Sequence, residues 1–257
     1  MYTFNSRVRY SEVGEDKVLT VRSLINYLQD CSTFQSEDVG LGLVKLREEG
    51  VAWMTASWQI VPERMPRLGE KITIGTMPID ATAALARRQF FIDDEEGNRI
   101  VKANSYWTLV NVHTGRPMRI TEPYLTPYGT DEPFEMPACS RKLVLPLADV
   151  PMRLFPPFPV SEELLDTNHH VNNGQYIRMA LQACAQVSSK ENLEDIKDLP
   201  TCRENIQIRA EYRQQAHLGF VIHPVVYNLS DTKGCTVYLN DEEGQPYSIV
   251  ELKRITF

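Results

Sequence analysis

The string Asp94-Glu95-Glu96-Gly97 occurs again as Asp241-Glu242-Glu243-Gly244, and each copy keeps its surroundings. An apolar run precedes each one, Phe90-Phe91-Ile92 and Val237-Tyr238-Leu239, and an Ile-Val pair follows, Ile100-Val101 and Ile249-Val250. Upstream, Trp58-Gln59-Ile60 leads to Leu68-Gly69 much as Ile206-Gln207-Ile208 leads to Leu218-Gly219. Further upstream, Gln29-Asp30-Cys31 closes an apolar helical stripe, as Gln182-Ala183-Cys184 does. The offsets run 153, about 150 and 147, so the matches stay in order with small insertions or deletions. One match would be chance; three in order predict a duplicated unit. At 257 residues the chain is long enough for two modest cores.

Between the copies the composition changes. Ten of the sixteen prolines fall between Arg116 and Val160. Proline withholds a backbone donor and fixes φ, so this stretch reads as an irregular crossover, with a boundary near residues 130–145. The expected domains are therefore 1–135 and 136–257. Each has the same order, a helix and then strands. Val21, Leu24, Ile25, Leu28 and Cys31 lie on one face of the first helix, and Tyr176, Ile177, Ala180, Leu181, Cys184 and Val187 on one face of the second. Strands are expected over Val51–Val61, Lys71–Met77, Ala84–Asp93 and Val101–Val112, then Asn205–Tyr212, Gly219–Asn228, Gly234–Asn240 and Tyr247–Phe257. In each half the Asp/Glu/Gly cluster is a hairpin turn. One helix followed by antiparallel strands makes an α+β unit whose sheet wraps the helix, and two in tandem make a double hotdog.

The segment richest in chemistry is Asp166-Thr167-Asn168-His169-His170-Val171-Asn172-Asn173-Gly174. In extended backbone the side chains of Asp166, Asn168 and His170 would project to one side. The second helix starts directly afterwards, with Asn172 or Asn173 suited to cap it, so the three polar groups stand beside a helix N-terminus that favours negative charge. Hydrolysis of an acyl thioester needs a base to deprotonate water and fixed donors to hold the oxyanion; a histidine and an amide supply both. The same string also fits a polar loop that does no more than cap a helix. His169 is out of phase with the trio, and Trp53, Trp58 and Trp107 read as core.

Composition excludes other classes. A net charge of −7 argues against nonspecific nucleic-acid binding. No apolar run approaches a membrane span, and the N-terminus has no signal or transit pattern, so a cytoplasmic location is expected. The five cysteines are scattered and never in a CxxC spacing, which reads as reduced small hydrophobes, with no structural metal site and no cofactor implied.

The whole chain resembles the acyl-acyl-carrier-protein thioesterases, the plant plastid and bacterial enzymes that release free fatty acids. Their motif D-x-N-x-H-V-N-N-x-x-Y-I is matched by Asp166, Asn168, His170, Val171, Asn172, Asn173, Tyr176 and Ile177. Thr20–Gln29, Trp53–Gly69 and Ser105-Tyr106-Trp107-Thr108 are similar too. The resemblance implies that Asn168 holds or polarises the thioester carbonyl, that His170 serves as base, and that Asp166 supports the site. It further implies that the acyl chain lies in the first hotdog against Leu24 and Leu28, with Asn172 and Asn173 near the substrate. Plant members carry a Glu-Cys pair in a segment similar to Glu211–Ala216; here Gln215 and Ala216 stand in its place, so no cysteine nucleophile exists there and base duty falls on His170 or Asp166.

Other hotdog chemistry stays open at this point: a coenzyme A thioesterase, a hydroxyacyl dehydratase, or a non-enzymatic acyl-binding module. Docking an acidic acyl carrier protein needs a local basic surface, for which Arg64, Arg67, Arg87, Arg88, Arg141 and Lys142 are the candidates. A homodimer is compatible with the sequence.

Overall fold

A computed structural model describes residues 1–143, 150, 152–191, 206–229 and 234–255; of residues 187–191 and 228–229 it describes the backbone only. The chain divides into two compact units, residues 1–60 with 65–138, and residues 61–64 with 139–257.

In the first unit β1 (Tyr2–Arg7) precedes α1 (Val21–Asp38) and the short α2 (Leu43–Glu48); β2 (Val51–Pro62), β3 (Lys71–Ala81), β4 (Ala86–Asp93) and β5 (Arg99–Asn111) follow. The sheet order is β1-β3-β4-β5-β2. In the second unit β6 (Met152–Leu154) and β7 (Phe158–Pro159) precede α3 (Asn173–Glu191), and β8 (Ile206–Tyr212), β9 (Val221–Leu229), β10 (Gly234–Asn240) and β11 (Pro246–Arg254) follow. Its order is β6-β9-β10-β11-β8, with β7 also pairing with β9. Strand for strand, this is the order of the first unit. Each unit is a hotdog. All eight strands expected from sequence form; β1, β6, β7 and α2 are additions. Asn205, Phe257 and Cys202 lie outside the described residues, as does the side chain of Val187.

The hairpin turns match atom for atom. Asp94 Oδ1 accepts from the N–H of Glu96 (3.2 Å) and Asn98 (2.8 Å), and Asp241 Oδ1 accepts from the N–H of Glu243 (3.0 Å) and Gln245 (2.7 Å). Gly97 and Gly244 close them at φ 83° and 80°, a region open to glycine at no steric cost.

α1 packs on β1 and β3, with Leu24, Ile25, Leu28 and Cys31 fully buried against a sheet that supplies Ile74, Phe90 and Ile92. α3 packs on β9, β10 and β11 through Tyr176, Ile177, Ala180 and Cys184. Leu181, expected on that face, is only partly buried.

Two sequence expectations fail here. Cys184 on α3 and Cys235 on β10 form a disulfide across the helix–sheet interior. Their separation of 51 residues hides a pairing that arises only when α3 settles on β10. Cys31 and Cys139 are free, and burial pushes the Cys31 thiol up to about 12. Arg88, a docking candidate, points inward. Its guanidinium donates to Gln35 Oε1 on α1 and to Thr76 Oγ1 on β3 (3.2 Å), and lies 5.1 Å over the Tyr128 ring. The two side chains it donates to are neutral, and burial lowers its pKa to about 10 against the opposing pull of Tyr128, Cys31 and Asp131. Its neighbour Arg87 is ion-paired with Asp80.

Candidate active site

The segment Asp166–His170 is not extended. An antiparallel bridge between Leu165 and Val171 pinches it into a tight loop. Asp166 N–H donates to His170 C=O (2.8 Å) and His169 N–H to Asp166 C=O (3.0 Å). Asp166 Oδ1 accepts from Asn168 N–H (2.8 Å) and, more weakly, from His170 N–H (3.4 Å). The bridge and these backbone bonds make a turn, which the aspartate supports by accepting from nearby backbone donors, and the alternation expected for extended backbone is lost. His169 takes the left-handed position at φ 62°.

The loop leaves the three polar side chains in different surroundings. Asn168 is exposed, while Asp166 and His170 are half-buried. His170 Nδ1 is buried with no hydrogen-bond partner among the described residues. Burial first, and His217 second, lower the His170 pKa; Asp166 opposes them. The imidazole is therefore neutral at physiological pH and available as a proton acceptor.

Asn172 is the cap of α3. Its Oδ1 accepts from Gly174 N–H (2.8 Å), and its C=O accepts from Gln175 N–H (2.9 Å). Those two donors are spent within the helix start, so α3 offers its dipole there rather than these N–H groups. Asn173 opens the helix, and its C=O accepts from Tyr212 Oη (3.0 Å).

The segment after β8 is fastened to this loop. Val171 N–H donates to Ala216 C=O (3.0 Å), and Ala216 N–H donates to Tyr176 Oη (3.1 Å). Gln215, exposed, thus lies in a strap hydrogen-bonded to the end of the motif loop. The strap ends in a turn in which Phe220 N–H donates to His217 C=O (3.1 Å) and Gly219 sits at φ 79°. The turn carries His217 to 4.6 Å from His170, ring centre to ring centre. Nothing in the sequence pairs His217 with His170; its place two residues after Gln215 is the one available signal. Leu24 and Leu28 belong to the first unit, where both are fully buried.

The first unit contains the same loop without its chemistry. Val13 and Leu19 form the bridge, and Gly14 N–H donates to Val18 C=O (2.9 Å). Lys17 N–H donates to Gly14 C=O (3.0 Å), with Lys17 at φ 61°. Thr20 caps α1 through Oγ1 to Ser23 N–H (3.2 Å), and Leu19 N–H donates to Pro66 C=O (2.8 Å). Gly14, Asp16 and Val18 hold the places of Asp166, Asn168 and His170, and Met65-Pro66 the place of Gln215-Ala216. The loop, the left-handed residue, the cap and the strap all form with no histidine present.

Residues 1–128 match the acyl-ACP thioesterase N-terminal domain. The chain belongs to the acyl-ACP thioesterase family. Among curated members of this family it is 25% identical over 196 residues to a chloroplastic palmitoyl-acyl carrier protein thioesterase of Gossypium hirsutum, covering 71% of this chain and 47% of that one. The chain spans about half the length of the first such relatives it matches. Solved structures share the fold of this acyl-ACP thioesterase family member, two of them as follows. A putative oleoyl thioesterase from Lactobacillus plantarum superposes with a TM-score of 0.79 at 20% identity, over 100% of this chain and 97% of that one. An acyl-ACP thioesterase from Bacteroides thetaiotaomicron gives 0.76 at 20% identity, over 98% and 96%.

Proposed function

We propose that the chain hydrolyses fatty acyl thioesters of acyl carrier protein, with His170 as general base and Asn168 holding the thioester carbonyl. The observation that carries this reading is the duplicated loop. Backbone geometry does not require the amide and the imidazole, because the same turn forms with Asp16 and Val18 in their places, where Asp16 Oδ1 accepts from Val18 N–H (3.1 Å) much as Asp166 Oδ1 accepts from backbone donors in the second loop. Asn168 and His170 are therefore explained by chemistry better than by capping. Water attacks the carbonyl carbon while its proton passes to His170; the oxyanion is held by the Asn168 amide and favoured by the α3 dipole. The C–S bond then breaks, and the proton on His170 goes to the leaving thiolate. Asp166, whose Oδ1 is engaged by backbone N–H groups, supports the loop and leaves base duty to His170. Gln215 can hold the attacking water but cannot take its proton, and with Ala216 beside it no covalent thiol step is available there.

In this reading the domains keep separate tasks: residues 136–257 carry the catalytic loop, and residues 1–135 house the acyl chain against the buried stripe of Leu24 and Leu28. Exposed Arg67 and Lys142 remain candidates for meeting the acidic carrier, whereas Arg88 does not. The test is turnover of a C8 to C18 panel of acyl carrier protein and acyl coenzyme A thioesters by wild type, Asn168→Ala and His170→Ala. Preference for the carrier protein, lost by about 10²–10⁴-fold in both variants, is the expected result. Turnover of coenzyme A thioesters alone would reassign the substrate, and none on either would leave an acyl-binding protein.

A further inference from the structure

We propose that His217 is a positioning residue of this site, holding the His170 imidazole in its working orientation; the inference rests on the thioesterase reading above. A general base usually has its ring fixed by a hydrogen bond at the second nitrogen. His170 Nδ1 makes none among the described residues, and the nearby Asp166 Oδ1 serves backbone donors instead. The contact that can set the ring plane is His217, which meets His170 edge to face at 76° and 4.6 Å. His217 is itself backed by Phe220 at 5.3 Å, and the turn at Gly219 brings those two rings together. In the first unit the same strap position holds Arg67, bridged to Val18, so the imidazole is missing where its partner is missing.

Charge acts in the same direction as packing. A second imidazole this close opposes protonation of His170; His169 adds to that effect, Asp166 counters it, and burial is the largest cause. Removing His217 both hydrates His170 and takes away the competing ring, so the two consequences have one sign.

The test follows the His170 imidazole by NMR titration, assigned with His170→Ala, alongside kcat/KM against pH on an acyl carrier protein thioester. His217→Ala is expected to raise the His170 midpoint, to move the acidic limb of kcat/KM upward with it, and to lower kcat several-fold. Loss of the base itself should cost about 10²–10⁴-fold. His217→Phe keeps the ring contact without a second imidazole, so it should recover kcat at high pH while the His170 midpoint stays above wild type. A folded His217→Ala protein with both midpoint and acidic limb unchanged overturns the proposal. The titration needs no turnover. A moved midpoint in a chain that hydrolyses nothing would reject the thioesterase reading and keep the His217 contact, and an unmoved midpoint in an active enzyme would do the reverse.

Discussion

His170 and Arg88 are both ionisable side chains drawn away from water, and they meet that cost in different ways. His170 gives up its charge, as its lowered pKa records. Its unfolded form therefore takes up a proton at higher pH than the native form. Stability should fall as pH drops from the ordinary histidine value through the lowered one. His170→Phe should flatten that slope, read as Tm against pH. Arg88 keeps its charge and is satisfied by Gln35 and Thr76. Gln35→Leu leaves the guanidinium with Thr76 as its one side-chain acceptor among the described residues, and urea unfolding should show a loss of roughly 1–3 kcal/mol. Arg88→Met added to Gln35→Leu should recover much of it, because two apolar groups can replace a buried polar pair at small net cost. At Gln215 a carboxylate restores a proton acceptor beside the strap, so Gln215→Glu should retain or raise hydrolysis; inactivity in a folded variant would remove Gln215 from the site.

At the scale of elements, what positions the chemistry is a loop, a helix start and a strap, fastened by a few hydrogen bonds. Tyr176→Phe leaves Ala216 N–H without its acceptor. A loss of about 1–3 kcal/mol in chemical denaturation, with a lower kcat, should follow. Gly219→Ala forces a Cβ into left-handed backbone and should cost roughly 1 kcal/mol, with the His170–His217 contact disturbed. Much of this architecture was legible in the sequence. The apolar stripe of α1 and the eight main strands follow from periodicity, and the two hairpin turns from a repeated Asp-Glu-Glu-Gly. What periodicity could not give was anything set by tertiary contact. β6 and β7 are too short to have a period, the Cys184–Cys235 link joins residues distant in the chain, and His217 gains its meaning only from the turn that presents it. In the motif loop, alternation of residue types does not become alternation of side chains: the Leu165–Val171 bridge closes a turn, and Asp166 bonds the backbone ahead of it within that turn.

On the scale of the whole molecule, the chain is two hotdogs of one topology, of which one carries the candidate chemistry. Leu28→Ala in the first unit removes a fully buried side chain and should destabilise by about 2–5 kcal/mol. If the acyl chain lies there, the surviving folded enzyme should also shift its preferred chain length, which the thioester panel reads directly. The paired loops have a practical consequence. Substitutions in Gly14–Val18 probe what the turn needs to fold, and the equivalent changes in Asp166–His170 probe folding and turnover together. Each experiment on the second loop thus has its own control within the same polypeptide, at the same concentration and in the same buffer. The difference between the two isolates what the polar residues are for.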